Sequence, residues 1–262
     1  LNFMYYPLAQ QEFESYLNGY DRENDRIKLK IIHTYGVVKQ AEDLAKRMQL
    51  SPEDTDLARI IALLHDIGRF EQLKRYDSFE PSTMDHAAYG VKVLFDENMI
   101  RRFLPDDKWD SIIYTAIAHH SDYELPEISD PQTLLHAKLI RDEDKLDNCR
   151  VKLVDSTSTF INVSEKELGT QDITQKVYET VLKNKCILSA DRVTQMDYWV
   201  SYIVYFFDIN FRESFDIIAE NDYLNRIINR ISYSNPITKE QMEEIRTYMQ
   251  KFIDAHKTKQ LS

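Results

Sequence analysis

Apolar residues recur along this chain at intervals of three and four, the spacing that gathers side chains on one face of a helix. The clearest stretch is 25–48, where Ile27, Ile31 or Ile32, Val38, Ala41, Leu44, Ala45 and Met48 keep step. Leu50-Ser51-Pro52-Glu53 interrupts it. Ser51 suits an N-cap, and Pro52 suits the first position of the next helix. That helix, expected to run to 65 or 66, is almost continuously apolar through Leu57, Ala58, Ile60, Ile61, Ala62, Leu63 and Leu64, the mark of a central helix with neighbours on most sides. Gly68 is placed to end it. Further helices are expected at 10–17, from 85 or 86 to 98, and at 106–120, 132–148, 175–185, 196–208, 212–231 (with a break near Asn221) and 238–256. The stretch 70–84, around Pro81, reads as a loop or short helix, and Pro126 and Pro131 bracket a loop. The pattern weakens over 151–174, and no run has the length and alternation of a strand.

Composition fits this all-α reading. The chain has 262 residues, enough for a sizeable core, and 43% of them are hydrophobic. Only 5 glycines and 7 prolines occur, which suits long helices with short connections better than a turn-rich β fold. One domain over 1–262 is expected, with its chemistry at about 25–150 and helices at about 151–262 packed on it. The formal net charge is -11 with no compensating basic stripe, which disfavours binding to long nucleic acid. A small phosphorylated ligand is still compatible, because one local cationic pocket outweighs a distant, screened field. Cys149 and Cys186 read as reduced packing residues. Residues 1–10 carry no basic region followed by a long apolar run, so no signal peptide is expected. The apolar stretch 198–207 is too short to span a membrane. The expectation is a cytoplasmic protein.

Candidate chemistry lies in the histidines. Five of the seven fall between His33 and His120. His33 shares a stripe with Val37, Ala41 and Leu44. His65 and Asp66 end the most apolar helix, His86 follows Asp85 at a helix start, and His119 and His120 close another helix. A carboxylate-rich run, Arg141-Asp142-Glu143-Asp144-Lys145-Leu146-Asp147, completes the set. Imidazole and carboxylate together suit borderline divalent metals, and facing helices of a bundle are a known way to bring such ligands together. Each piece alone also has a structural reading, as a core histidine, a helix-end ion pair or a solvated helix end. His136 and His256 have no motif context and read as structural or surface residues.

In this order the pieces, His33 in IIHTYGVV, His65-Asp66 in ALLHDIGRF and Asp144 in RDEDKLD, resemble the HD superfamily of metal-dependent phosphohydrolases over roughly 28–148. The resemblance implies an HD-type helical bundle with additional C-terminal helices. It implies that His33, His65, Asp66 and Asp144 bind one metal. His86, His119 and His120 are similar to the larger ligand set of binuclear members, in which Asp66 would bridge two ions. Adjacent residues on a helix point about 100° apart, so His119 and His120 need not face the same ion. The cofactor implied is one or two divalent transition-metal ions: Fe, Mn, Ni, Co or Zn. Lys145 and Asp147 belong to the family's DKLD pattern and are expected to orient Asp144 or to pair locally.

The activity so implied is hydrolysis of a nucleotide or other small phosphate ester by metal-activated water, with Asp66 and Arg69 as catalytic residues. Arg69 stands where many cyclic-dinucleotide phosphodiesterases of the superfamily have Lys after HDxG. It could clamp a phosphate or pair with Glu71 or Asp77. After His120 comes SDYELP rather than the GYP segment of those enzymes, which argues against cyclic di-guanylate. Two other readings use the same residues: a di-iron oxygenase, and a non-enzymatic HD regulatory module. The aromatics Tyr198, Trp199, Tyr202, Tyr205, Phe206, Phe207 and Phe211 are expected in the core, with a base-stacking or lid role as the alternative.

Overall fold

The computed structural model describes residues 4–260, which form helices and connections without a strand. The absence of a signal peptide was read partly from residues 1–3, which lie outside the described residues. The chain divides after Asp147 into two compact units.

The first unit holds α1 (Tyr6–Leu17), α2 (Asp25–Arg47), α3 (Pro52–Leu64), α4 (Ile67–Tyr76), α5 (His86–Val91), α6 (Ile100–Phe103), α7 (Asp110–Ala118) and the greater part of α8 (Pro131–Val154). α3 is central. Leu57, Ile60, Ile61, Leu63 and Leu64 are fully buried, each contributing roughly 1.5–3 kcal/mol by leaving water. Ser51 caps α3 as the sequence suggests, its hydroxyl accepting from the Asp54 backbone N–H. α2 packs along α3. α1 starts four residues earlier than its apolar spacing predicts, because Pro7 occupies a first-turn position where a missing N–H costs nothing. The Asp56 carboxylate, buried on α3, accepts from the backbone N–H groups of Tyr5 and Tyr6 at 2.7 and 3.2 Å, tying the start of α1 to α3. Phe70 lies under the rings of Phe13, Tyr16 and Tyr20.

Two expectations are corrected here. Gly68 does not end the central helix. α3 stops at Leu64, Asp66 adopts φ -105° and ψ 17°, and the chain resumes as α4 with Gly68 inside it. Gly68 is needed for close approach instead: a Cβ there would lie 2.0 Å from the main-chain oxygen of His86, where α5 crosses α4. The region 70–84 is therefore helical to Tyr76, and only 77–85 is loop. The helix predicted from 85 or 86 to 98 keeps α-helical form to Val91 and then widens into one π-helical turn, Lys92–Asp96.

The second unit holds the end of α8 and then α9 (Thr157–Ile161), α10 (Glu165–Leu168), α11 (Gln175–Val181), α12 (Gln195–Val204), α13 (Arg212–Glu220), α14 (Tyr223–Arg230) and α15 (Pro236–His256). The predicted break near Asn221 falls between α13 and α14, where Asp222 takes the left-handed conformation, φ 48°. Of the aromatic series, Trp199 and Phe206 are fully buried. Asp197 organises the start of α12. Its buried carboxylate accepts from the backbone N–H groups of Thr174, Val193 and Thr194, and from the Thr174 hydroxyl. No helix among the described residues is long and apolar enough to cross a membrane.

Two outcomes are expected. Gly68→Ala should lower stability to urea by roughly 1–3 kcal/mol, because the new methyl group meets backbone and not a yielding side chain; an unchanged midpoint would count against the tight crossing. Asp197→Ala strands several donors and should cost on the order of 3 kcal/mol in thermal denaturation.

Candidate metal centre

Five helices bring imidazoles and carboxylates of the first unit together. His33 lies on the buried face of α2 with Val37, Ala41 and Leu44. His65 is the C-cap of α3, and Asp66 sits in the break before α4. His86 opens α5, whose N-cap Asp85 accepts from the Ala88 N–H at 3.0 Å. His120 follows α7, and Asp144 projects from α8.

Two groups result. His33, His65, Asp66 and Asp144 offer ligand atoms within 4.8 Å of one another, and so do Asp66, His86 and His120. Asp66 belongs to both, through different oxygens. Its Oδ2 is 3.5 Å from the Nε2 atoms of His33 and His65. Its Oδ1 is 3.3 Å from those of His86 and His120. Asp144 Oδ1 lies 2.9 Å from His33 Nε2 and 3.5 Å from His65 Nε2.

The hydrogen bonds on the far side of the rings set the direction of their Nε2 atoms. His65 Nδ1 donates to the Ala62 carbonyl at 2.6 Å, and His120 Nδ1 to the Ile117 carbonyl at 2.7 Å. His33 Nδ1 donates to Asp147 Oδ2 at 2.8 Å. A neutral ring that carries its proton on Nδ1 presents a lone pair at Nε2. Those lone pairs point at carboxylate oxygens and, for His120, at the Nε2 atom of His86 across 3.1 Å. His65 Nε2 is buried without a hydrogen-bond partner. Acceptors facing acceptors in a buried space require positive charge between them, and protonating every ring would crowd four cations together. A divalent ion fits this donor set.

Local charges act the same way. Burial opposes ionisation of Asp66, yet the Lys30 ammonium and the neighbouring imidazoles hold it well below the usual carboxylate range. Burial likewise opposes ionisation of Asp144, and the rings of His33 and His65 hold it well below that range. Burial and Lys30 push His33 down, but its bonds to Asp144 and Asp147 outweigh them and leave it raised. Burial, then the nearby Arg69 charge, push His86 down to about 3, so this ring is neutral near pH 7.

His119 stands apart from both groups. It is the half-buried C-cap of α7, and its Nδ1 lies 2.6 Å from Asp122 Oδ2. Asp147 orients His33 rather than Asp144, and Lys145 donates to the Arg141 carbonyl at 3.3 Å. Gly36, one turn beyond His33, admits Asp147: a Cβ there would lie 2.0 Å from its Oδ1. Arg69 Nη1 donates to Gln72 Oε1 at 2.7 Å and to the Phe79 carbonyl at 3.0 Å. The two acids considered as its partners are engaged by other arginines, Glu71 by Arg75 and Asp77 by Arg26. His136 is structural, 2.8 Å from Asp54 Oδ1.

Sequence reading missed Lys30, whose Nζ donates to Asp66 Oδ2 at 2.9 Å. The available signal was position: Lys30 lies three residues before His33 and so shares its helix face. It also missed Gln72, fully buried, whose amide donates to Glu80 O, Thr83 Oγ1 and Met84 O and so holds the loop after α4 in place.

No curated protein and no solved structure matches this chain significantly. The family model of the HD domain matches residues 31–149, a little under half of the chain, and that span contains every member of both groups. By this match, and by the buried His/Asp arrangement compatible with an HD-type metal site, the chain carries an HD domain across residues 31–149.

Proposed function

We propose that this protein is a metal-dependent phosphohydrolase acting on a nucleotide or other small phosphate ester. The carrying observation is the sharing of Asp66 between two ligand groups, one through each oxygen. The HD superfamily consists largely of metal-dependent hydrolases, which supports the same reading. In this proposal His33, His65, Asp66 and Asp144 hold one divalent ion and Asp66, His86 and His120 a second, drawn from Fe, Mn, Ni, Co or Zn. His119 is left to hold Asp122. Bound there, a divalent ion supplies Lewis-acid polarisation of a phosphoryl oxygen and activation of water near neutral pH.

The chain's own residues do the rest. Asp147 and the carbonyls of Ala62 and Ile117 fix the rings of His33, His65 and His120 with Nε2 inward. Such outer partners set ligand direction and basicity. Neutral His86 keeps its lone pair for coordination. Arg69, steadied by Gln72 and the Phe79 carbonyl, brings a guanidinium to the His86 side, where it would stabilise charge on the equatorial phosphoryl oxygens.

Turnover of a nucleotide panel with added Mn²⁺, Fe²⁺ or Co²⁺ tests the activity. Asp66→Ala should abolish both metal uptake and turnover; a variant with full activity would remove the proposal. His120→Ala should lower metal content from two ions per chain towards one, read by elemental analysis. Gly36→Ala drives Asp147 away from His33 and should weaken metal binding about 10- to 100-fold, the range for losing an outer partner. Metal titration of the folded variant measures this, and wild-type affinity would show that Asp147 is dispensable.

A further inference from the structure

Lys30 is a buried cation that Asp66 uses only in part. Its side chain is only 10% exposed, and among the described residues its one hydrogen bond to a protein group is the one Asp66 accepts at 2.9 Å. An ammonium has three N–H donors. Burying it with so few partners is costly unless an anion arrives to take the others. Beside it is not a second carboxylate but the face of Phe79, 5.4 Å from Nζ. The same ring lies 5.6 Å from the Arg69 guanidinium carbon. An aromatic face attracts cations without cancelling their charge.

The wall carrying this ring is held firmly. The Phe79 carbonyl accepts from Arg69, and Gln72 binds the chain at Glu80, Thr83 and Met84. The two cations also serve different halves of the centre. Lys30 acts on His33 and Asp66 in the first ligand group, and Arg69 acts on His86 in the second. Phe79 lies against both.

We propose that Lys30 and Arg69 together bind the substrate's phosphate against the Phe79 wall, and that this pair selects a phosphomonoester over a phosphodiester. The inference rests on the phosphohydrolase reading above. A monoester near neutral pH carries between one and two negative charges and three non-bridging oxygens, matching two separate cations. A diester carries a single charge on two non-bridging oxygens and leaves one cation poorly matched. Lys30 keeps its bond to Asp66 while its other donors face the phosphate, so binding breaks no existing ion pair.

The test uses the full chain loaded with Mn²⁺. Orthophosphate binding is measured by calorimetry. Hydrolysis of p-nitrophenyl phosphate is compared with that of bis(p-nitrophenyl) phosphate. The wild type should favour the monoester in kcat/KM by roughly tenfold or more. Lys30→Gln should weaken orthophosphate binding by roughly tenfold at unchanged metal content and raise KM more than it lowers kcat, and Lys30→Arg should recover most of the loss, as two charge-assisted bonds regained would require. Orthophosphate binding within twofold of wild type in Lys30→Gln overturns the inference, as does a wild-type preference for the diester. Loss of metal or of the fold in Lys30→Gln, with Lys30→Arg binding orthophosphate no better than a metal-free chain, would make Lys30 a structural counter-charge and overturn it too. A wild-type chain that binds orthophosphate through Lys30 yet hydrolyses neither ester would instead refute the hydrolase reading while supporting the binding role.

Discussion

A carboxylate with no water around it needs positive charge close by, and in this fold that carboxylate is Asp66. It sits where the most buried helix of the first unit breaks, between α3 and α4. Four imidazoles and one ammonium surround it, contributed by α2, α3, α5 and the end of α7. Lys30 meets part of the demand. The inward lone pairs of His65 and His120 add to it, because each ring spends its proton on an outer acceptor. The elements around Asp66 are thus set for a cation before any substrate is considered.

Two absent side chains make that arrangement sterically accessible. Without a Cβ at Gly68, α4 and α5 can cross closely enough for His86 to reach the oxygen of Asp66 that faces away from His33. Without one at Gly36, the Asp147 carboxylate can lie against α2 and hold His33 from behind. Both glycines flank residues of the ligand pattern by a few positions, so the motif and the packing that permits it lie together in the sequence. Packing precision and ligand direction are one constraint here, since a shift of an ångström at either crossing moves a ring off its partner.

Most of the helices could be read from apolar spacing, because their buried faces are long and continuous, as in α2, α3 and α15. The residues that form the two ligand groups were legible as well, because their order along the chain resembles a known pattern. What escaped was whatever depends on contacts distant in sequence. Gly68 looked like a helix terminator, and only the crossing of α5 explains it. His119 and His120 could not be told apart by spacing; the Ile117 carbonyl turns one inward, while Asp122 engages the other. Lys30 carries no motif of its own, and Asp66, thirty-six residues later, is what makes it a buried partner. The short helices of 151–174 carried too few apolar residues to show a period.

The course of α8 has a consequence for how the polypeptide can be divided. This helix is 24 residues long and runs through the division after Asp147 without interruption. The last four carbonyls of any helix lack intrahelical donors, so its final turn frays. A chain severed at the division would leave Asp144 and Asp147 in such a turn, with the carboxylates that meet His33 anchored to unravelling backbone. Compactness therefore marks a seam that the covalent chain cannot be cut along. The turns of α8 from Asn148 to Val154 serve as a splint for two carboxylates that lie before them.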